Sequence, residues 1–269
     1  MNGNKLTSVV VDSGGSFSAW AFIFADGATE IIEVESFHPT NFSDEFFKRN
    51  KLFLKEHITS PIPLFFFGAG MGKQENKEIL SDFFQPYFSS MTILTDIQGL
   101  VLSLKMTDGA IAIMGTGSVL VDIADRTIRQ QIGGLGHLKG DEGSAYYFGK
   151  LVLTDFFDGR LSTKQTVEIE RSAAISVGRE ALLLDKYTTA SFAKNLDKQL
   201  FLDYHKKNIK LFFQVHFDHH IQVKEATFVG SYAFFMKDLI LNELQQRNIQ
   251  LSECIQKPIG LFCAKFGIR

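Results

Sequence analysis

Residues 8–11 form an apolar run that stops at Asp12-Ser13-Gly14-Gly15-Ser16. About a hundred residues later the theme returns, as 110–114 runs into Gly115-Thr116-Gly117-Ser118 and on through 119–123. An apolar run, a glycine turn and a second apolar run read as two strands joined by a tight turn. Recurrence at this distance reads as a repeated architecture. No long Pro or Gly/Ser linker separates the repeats, which fits two lobes packed against each other better than two strung apart.

The first lobe can be followed element by element. Strands at 19–24 and 29–34, broken at Asp26-Gly27, continue the opening strand as a meander. Ser43, with Asp44 and Glu45 behind it, is a helix start, and Phe46, Phe47, Leu52 and Ile58 spread through a charged segment that carries the helix to residue 59. Pro61 and Pro63 reset the chain into a strand at 64–67, which ends in Gly68-Ala69-Gly70-Met71-Gly72 before a polar helix at 75–84. A strand at 91–94 gives way to Thr95-Asp96 and a helix over 97–104. Strand, glycine loop and helix in succession is an α/β signature. The second half is helix-dominated, with helices expected over 142–157, 166–184, 203–222, 232–246 and 258–266 and a strand at 226–229.

Composition removes rivals. The chain has 269 residues, 45% hydrophobic and 22% charged, enough for a sizeable core, which excludes disorder, collagen and coiled coil. Its 28 Lys+Arg against 30 Asp+Glu give no general attraction to nucleic acid or to an anionic membrane surface, so a small metabolic ligand is the expected partner. No uncharged apolar stretch reaches the roughly 18 residues of a membrane helix, and the N-terminus lacks a signal-peptide pattern. Two cysteines, Cys254 and Cys263, are too few for a disulfide framework, and a reducing compartment, the cytoplasm, is expected. The 27 phenylalanines, clustered as in Phe65-Phe66-Phe67 and Phe212-Phe213, read as core packing.

Three glycine turns follow expected strands: at Gly14-Gly15, at Gly115-Thr116-Gly117 and at Gly230-Ser231. Successive backbone N–H groups with hydroxyls beside them make a cradle for phosphate oxygens, although each turn alone is also explained as a plain tight turn. A P-loop pattern is missing. Asp12 ends its strand where a carboxylate can hold Mg²⁺ against a phosphate, or can hydrogen-bond its own turn. Asp96, between a strand and a helix, is either a helix cap or the base that accepts a substrate hydroxyl proton during phosphoryl transfer. The segment Gly133-Gly134-Leu135-Gly136-His137-Leu138-Lys139-Gly140-Asp141-Glu142-Gly143-Ser144 is poor core material and reads as a ligand loop, with helix capping as the other role for Asp141.

In this order, these segments resemble the N-acetylglucosamine kinase branch of the BadF/BadG/BcrA/BcrD-type ATPase family, within the sugar kinase, Hsp70 and actin superfamily. The resemblance covers nearly the whole chain and is most specific in the GGxGxxxGDEGS block. It implies an α/β fold of two ribonuclease-H-like (actin-like ATPase) lobes with a nucleotide and sugar cleft between them. The N-terminal lobe would span 1–104 and the C-terminal lobe 105–257, with a last helix at 258–269 packing back on the first lobe. The implied activity is ATP-dependent phosphorylation of the 6-hydroxyl of an amino sugar, N-acetylglucosamine or N-acetylmuramic acid, with ATP and Mg²⁺, in a homodimer. Asp12 would organise Mg²⁺, Gly14, Gly15, Ser16, Gly115 and Thr116 would meet the nucleotide's phosphates, and Asp96 would be the base. Asn41, Thr116, Gly117, Gly136 and Asp141 would face the sugar, and Gly230 and Ser231 the adenosine. Two positions depart from the family pattern: Phe17 follows Ser16 where a basic or hydroxyl residue is common, and Leu135 stands where the glycine loop often has an aromatic ring.

Two rivals share the fold. ATPase activators hold an iron–sulfur cluster on cysteines, for which Cys254 and Cys263 lie in the wrong region, and a sensor would bind nucleotide or sugar without turnover. His216, His219 and His220, with Asp218, stand at helical spacing that would aim two imidazoles at a metal, but they read better as a solvated helix end. His137, inside the glycine loop, is a candidate ligand contact without a catalytic role.

Overall fold

Val9, Val10 and Val11 are fully buried because their strand, β1 (Leu6–Ser13), lies in the middle of a sheet covered on both faces. The computed structural model describes residues 5–171, 185–218 and 220–268. The chain divides into two units, Met1–Lys105 with Pro258–Arg269, and Met106–Lys257.

In the first unit β1 pairs antiparallel with β2 (Phe17–Phe24), which pairs antiparallel with β3 (Thr29–Glu35). On its other side β1 pairs parallel with β4 (Ile62–Gly68), and β4 with β5 (Phe88–Leu94), giving the order β3-β2-β1-β4-β5. Helix α1 (Asp44–His57) starts where the sequence predicts: Ser43 Oγ accepts from Phe46 N, acids sit in the first turn, and Lys55 and His57 sit in the last. With α2 (Gln74–Phe84) it covers a face built of rings, in which Trp20, Phe37, Phe46, Phe66 and Phe84 form one cluster with Phe37 4.9 Å from Phe46. Neighbouring strand residues point to opposite faces, so Phe67 leaves that cluster. Its ring packs 4.5 Å from Phe262 and 4.7 Å from Phe266 of the C-terminal helix, Ile259–Phe266, beside α3 (Asp96–Ser103). That helix is pinned at its end, where Ile268 N donates to Ser8 Oγ at 3.0 Å.

The second unit repeats the plan. β6 (Gly109–Met114), β7 (Ser118–Ala124) and β8 (Thr127–Gly133) form the antiparallel trio, and β9 (Glu225–Val229) and β10 (Gln250–Ile255) extend it in parallel, in the order β10-β9-β6-β7-β8. The described helices are α4 (Ala145–Phe157), α5 (Thr163–Glu170), α6 (Lys186–Lys194), α7 (Leu202–Phe212), α8 (Ser231–Phe235) and α9 (Lys237–Gln246), with the C-terminal helix as α10. Phenylalanines again fill the core, among them Phe148, Phe201, Phe212, Phe213 and Phe228.

The departures from expectation have local causes. β8 carries no apolar alternation because it is an edge strand, and Ile132 is its one buried side chain. The helix expected over 203–222 ends at Phe212 and widens into a π-helical turn, Phe213–Phe217. That expected over 232–246 breaks at Met236, whose φ of −103° and ψ of 16° leave the helical region. α4 begins after Ser144, whose Oγ accepts from Tyr147 N at 3.1 Å, so Asp141 is not its cap. The helix expected over 166–184 is described as Thr163–Glu170, and residues 172–184 lie outside the described residues. Among the described residues no helix is long and apolar enough to cross a membrane.

Candidate functional site

Three parallel strands of the first unit end on one edge of its sheet, at Ser13, Gly68 and Leu94, the kind of edge where open α/β sheets place ligands. Asp12 lies in register with Phe67, and Phe67 with Leu94, so the chain leaves β5 for Thr95-Asp96 close to Asp12. The two carboxylates sense each other. Burial, together with the nearby charge of Asp96, pushes Asp12 up from 3.8 to about 7, and burial raises Asp96 as well. Capping does not explain Asp96: Thr95 is the N-cap of α3, accepting from Gln98 N while Gln98 Oε1 accepts from Thr95 N. The Asp96 carboxylate accepts from Ile97 N at 3.0 Å.

Among the described residues no cationic side chain pairs with Asp12 or Asp96. A half-buried carboxylate pair without a counter-charge fits a divalent cation, since Mg²⁺ takes one or two carboxylates and completes its shell with phosphate and water. No cluster of three or more metal-ligating side chains occurs among the described residues.

Around this edge the first glycine turn is braced from the protein side. Gly14 N donates to Phe17 O at 3.0 Å, and Gly14 O accepts from Ser36 Oγ. Asn41, exposed on the turn Pro39–Asn41, donates through Nδ2 to Ser36 O at 2.9 Å, so it stands beside the same turn. A Cβ on Gly14 would meet only Phe17 O, at 3.7 Å, and the space above the turn is open to a ligand. Ser16 is exposed and Gly15 half-buried. Asp12, Gly14, Gly15, Ser16, Asn41 and Asp96 are thus gathered at one sheet edge.

In the second unit the turn Gly115-Thr116-Gly117 closes through Gly115 N to Gly117 O at 2.9 Å. Its carbonyls accept the first helical N–H groups of α4, Ala145 N to Gly115 O and Tyr146 N to Thr116 O, so those donors serve the turn and not a ligand. β6 and β9 are parallel neighbours, which brings Gly230 against this turn. Gly230 has a φ of +113°, and a Cβ there would lie 2.5 Å from Met114 O and 3.2 Å from Gly115 N. Only glycine fits. Gly230→Ala is expected to lower stability by ~1–3 kcal/mol, the range for strained backbone, in a denaturant melt. A variant as stable as the parent would show that the turn relaxes freely.

Asp141 is turned inward. Its side chain is 2% exposed, Oδ1 accepts from Ser118 N at 3.1 Å, and Oδ2 stands 2.8 Å from Lys186 Nζ. The residue holds a φ of +73°, a strained conformation for a non-glycine. Gly117 makes room for this pair, because a Cβ there would collide with the Lys186 ammonium and lie 3.0 Å from Asp141 Oδ1. Thr116, Gly117 and Asp141 are therefore together, whereas Gly136, with a φ of +83° and no atom within 4 Å of its Cβ position, stands apart in the loop. His216 is not on a solvated helix end: it is buried, with Nε2 3.4 Å from Glu142 Oε2, and His219 lies outside the described residues.

Lys186 and a polar group formed by Asn208, Tyr232 and His205 were not legible beforehand. Their partners lie far away in sequence and no motif marks them.

No family model matches the chain. Over 97% of its length it superposes on the whole of a protein from Porphyromonas gingivalis put forward as an N-acetylglucosamine kinase, with a TM-score of 0.80 and 17% identity. A ROK family glucokinase from Streptomyces griseus, solved with glucose and AMPPNP, matches 97% of this chain and 98% of its own, with a TM-score of 0.56 and 10% identity. These likenesses show the fold, that of sugar kinases and actin-like ATPases with two α/β units. Among curated proteins, an N-acetylmuramic acid/N-acetylglucosamine kinase from Clostridium acetobutylicum is 32% identical over 84 residues, a stretch covering 30% of this chain and 28% of that protein.

Proposed function

We propose that this chain is a kinase that uses ATP and Mg²⁺ to phosphorylate the 6-hydroxyl of an amino sugar, N-acetylglucosamine or N-acetylmuramic acid. The observation that carries this reading is the half-buried, uncompensated Asp12–Asp96 pair on the carboxyl edge of the first unit's parallel strands. The named activities of the structurally similar proteins and of the curated relative support it.

Asp96 accepts the proton of the sugar 6-hydroxyl as that oxygen attacks the γ-phosphorus and the bond to ADP breaks. A carboxylate raised toward neutrality is the stronger base, and burial supplies that shift. Asp12 holds Mg²⁺, which when bound neutralises charge on the phosphate oxygens. The N–H of Gly15 with the Ser16 hydroxyl, where Gly14 leaves the turn open to close approach, and the turn at Gly115 and Thr116, bind phosphate, while Gly230 and Ser231 border the adenosine. Asn41, Thr116, Gly117, Gly136 and Asp141 orient the sugar, Asp141 with its charge shared by Lys186.

The test measures ADP release from Mg-ATP with N-acetylglucosamine, N-acetylmuramic acid, glucosamine and glucose, with mass detection of the product. Sugar-dependent ADP release with a phosphosugar of matching mass is expected for an N-acetylated sugar. ADP release without any phosphosugar would replace this reading with an ATPase, and nucleotide binding without turnover would replace it with a sensor.

A further inference from the structure

Behind the glycine turns of the second unit lies a chain of hydrogen bonds whose directions are set from its backbone end. Asn208 is fully buried on α7. Its Oδ1 accepts from Gly143 N at 2.7 Å and its Nδ2 donates to Ser144 O at 2.9 Å, so a backbone donor and a backbone acceptor together set the amide's orientation. The second Nδ2 proton goes to Tyr232 Oη at 2.9 Å. Having accepted there, the Tyr232 hydroxyl gives its own proton to His205 Nδ1 at 3.0 Å. Burial lowers His205 to about 4, and the ring is a neutral acceptor at physiological pH. The circuit closes through packing: the His205 ring stacks on Phe148 at 3.8 Å and 10°, and Phe148 N donates to Ser144 O, one turn back in α4.

The two ends of this circuit belong to different ligand segments. Gly143 and Ser144 are where the glycine loop, 134–144, enters α4, and position 143 takes glycine because its φ is +81° and a Cβ would lie 2.7 Å from both Met114 Cε and Phe212 Cβ. Tyr232 directly follows Gly230-Ser231, and Gly230 rests on the carbonyl of the same Met114. Three buried polar side chains are costly to leave half-satisfied, so the two segments are held in one geometry or released together.

We propose that Asn208, Tyr232 and His205 are positioning residues that clasp the Gly143–Ser144 hinge to the Gly230–Ser231 turn, so that a nucleotide engaging the turn orders the glycine loop. The clasp rests on the kinase reading only for the identity of that ligand.

The experiment is amide hydrogen exchange on the whole chain, without ligand and with Mg-AMPPNP, for the parent and Tyr232→Phe, which removes one hydroxyl and keeps the ring. In the parent, segments 134–145 and 228–235 are expected to gain protection together on nucleotide. In Tyr232→Phe, ligand-free protection of 134–145 is expected to fall about tenfold or more, and the nucleotide response to stay within 228–235. A folded variant whose 134–145 segment keeps both its protection and its response would overturn the clasp. His205→Phe keeps the stack on Phe148, removes the acceptor, and gives the same readout should the tyrosine variant not fold. A parent whose exchange ignores nucleotide would count against the kinase reading, and the ligand-free comparison would still decide the clasp.

Discussion

Asp96→Asn is expected to lower sugar-dependent kcat by about 10³-fold, within the 10²–10⁴-fold that a positioned general base contributes, with the fold retained, a melting temperature at neutral pH no lower than the parent's, and the binding of nucleotide and sugar nearly intact. The substitution keeps the shape of the side chain and an oxygen able to accept from Ile97 N. It does not remove the helix cap, because Thr95 and Gln98 form that cap between them. What it removes is the acceptor for the 6-hydroxyl proton. Burial holds the parent's Asp96 above the ordinary carboxylate range, and the base must be ionised to work. The parent's kcat should therefore rise with pH through a value higher than that of a free Asp and then level off, and the variant should show no such limb. Steady-state kinetics from acid to mildly basic pH, with calorimetric binding of each ligand, read both effects. A variant within tenfold of the parent would remove Asp96 as the base and leave its burial without a catalytic explanation.

Much of the first unit was legible because its elements carry strong local signals. β1 is a run of valines between polar ends, Ser43 caps α1 with acids behind it, and Pro61 and Pro63 set the start of β4. Each local choice agrees with the final packing. β8 and β10 failed for a common reason: both lie at the ends of their sheet, and an edge strand has little apolar patterning to show. Helix α6 was missed as well, with only Ala190, Phe192 and Ala193 as buried apolar residues in its length.

For the site, residue type and turn chemistry pointed to Asp12, the glycine turns and Asp96, because a carboxylate or a glycine at a strand end has few explanations. The partner of a side chain is another matter. Asp141 reads from sequence as a cap or a ligand contact, and only the fold brings Lys186 to it. Asn208 lies in a helix with Lys206, Lys207 and Lys210, and nothing in that stretch says that it is fully buried and saturated by three partners. Such positions are set by long-range packing, and one-dimensional patterns do not carry it.

The pair of carboxylates also sets up an opposition between stability and function, which Asp12→Asn should expose. Asp12 keeps a thin edge in contact with solvent yet is desolvated enough, with Asp96 beside it, to rise from 3.8 to about 7. An acid whose pKa is raised on folding binds its proton more tightly in the native state, so its contribution to stability falls as pH rises between those two values and is flat above them. At roughly 1.4 kcal/mol per pKa unit, the penalty at pH 8 is on the order of 4 kcal/mol in the ligand-free protein. Asparagine carries no such penalty. The variant is therefore expected to be more stable than the parent by that order at pH 8, by less at pH 5, and by nothing below about pH 4, in denaturant melts without metal. Mg-nucleotide should stabilise the parent and not the variant, and turnover should be lost, because a neutral amide replaces the carboxylate that would hold the cation. A gain in stability equal at pH 4 and pH 8 would trace the effect to packing rather than charge. A variant that turns over with Mg-ATP at the parental rate would take Asp12 out of the metal site altogether.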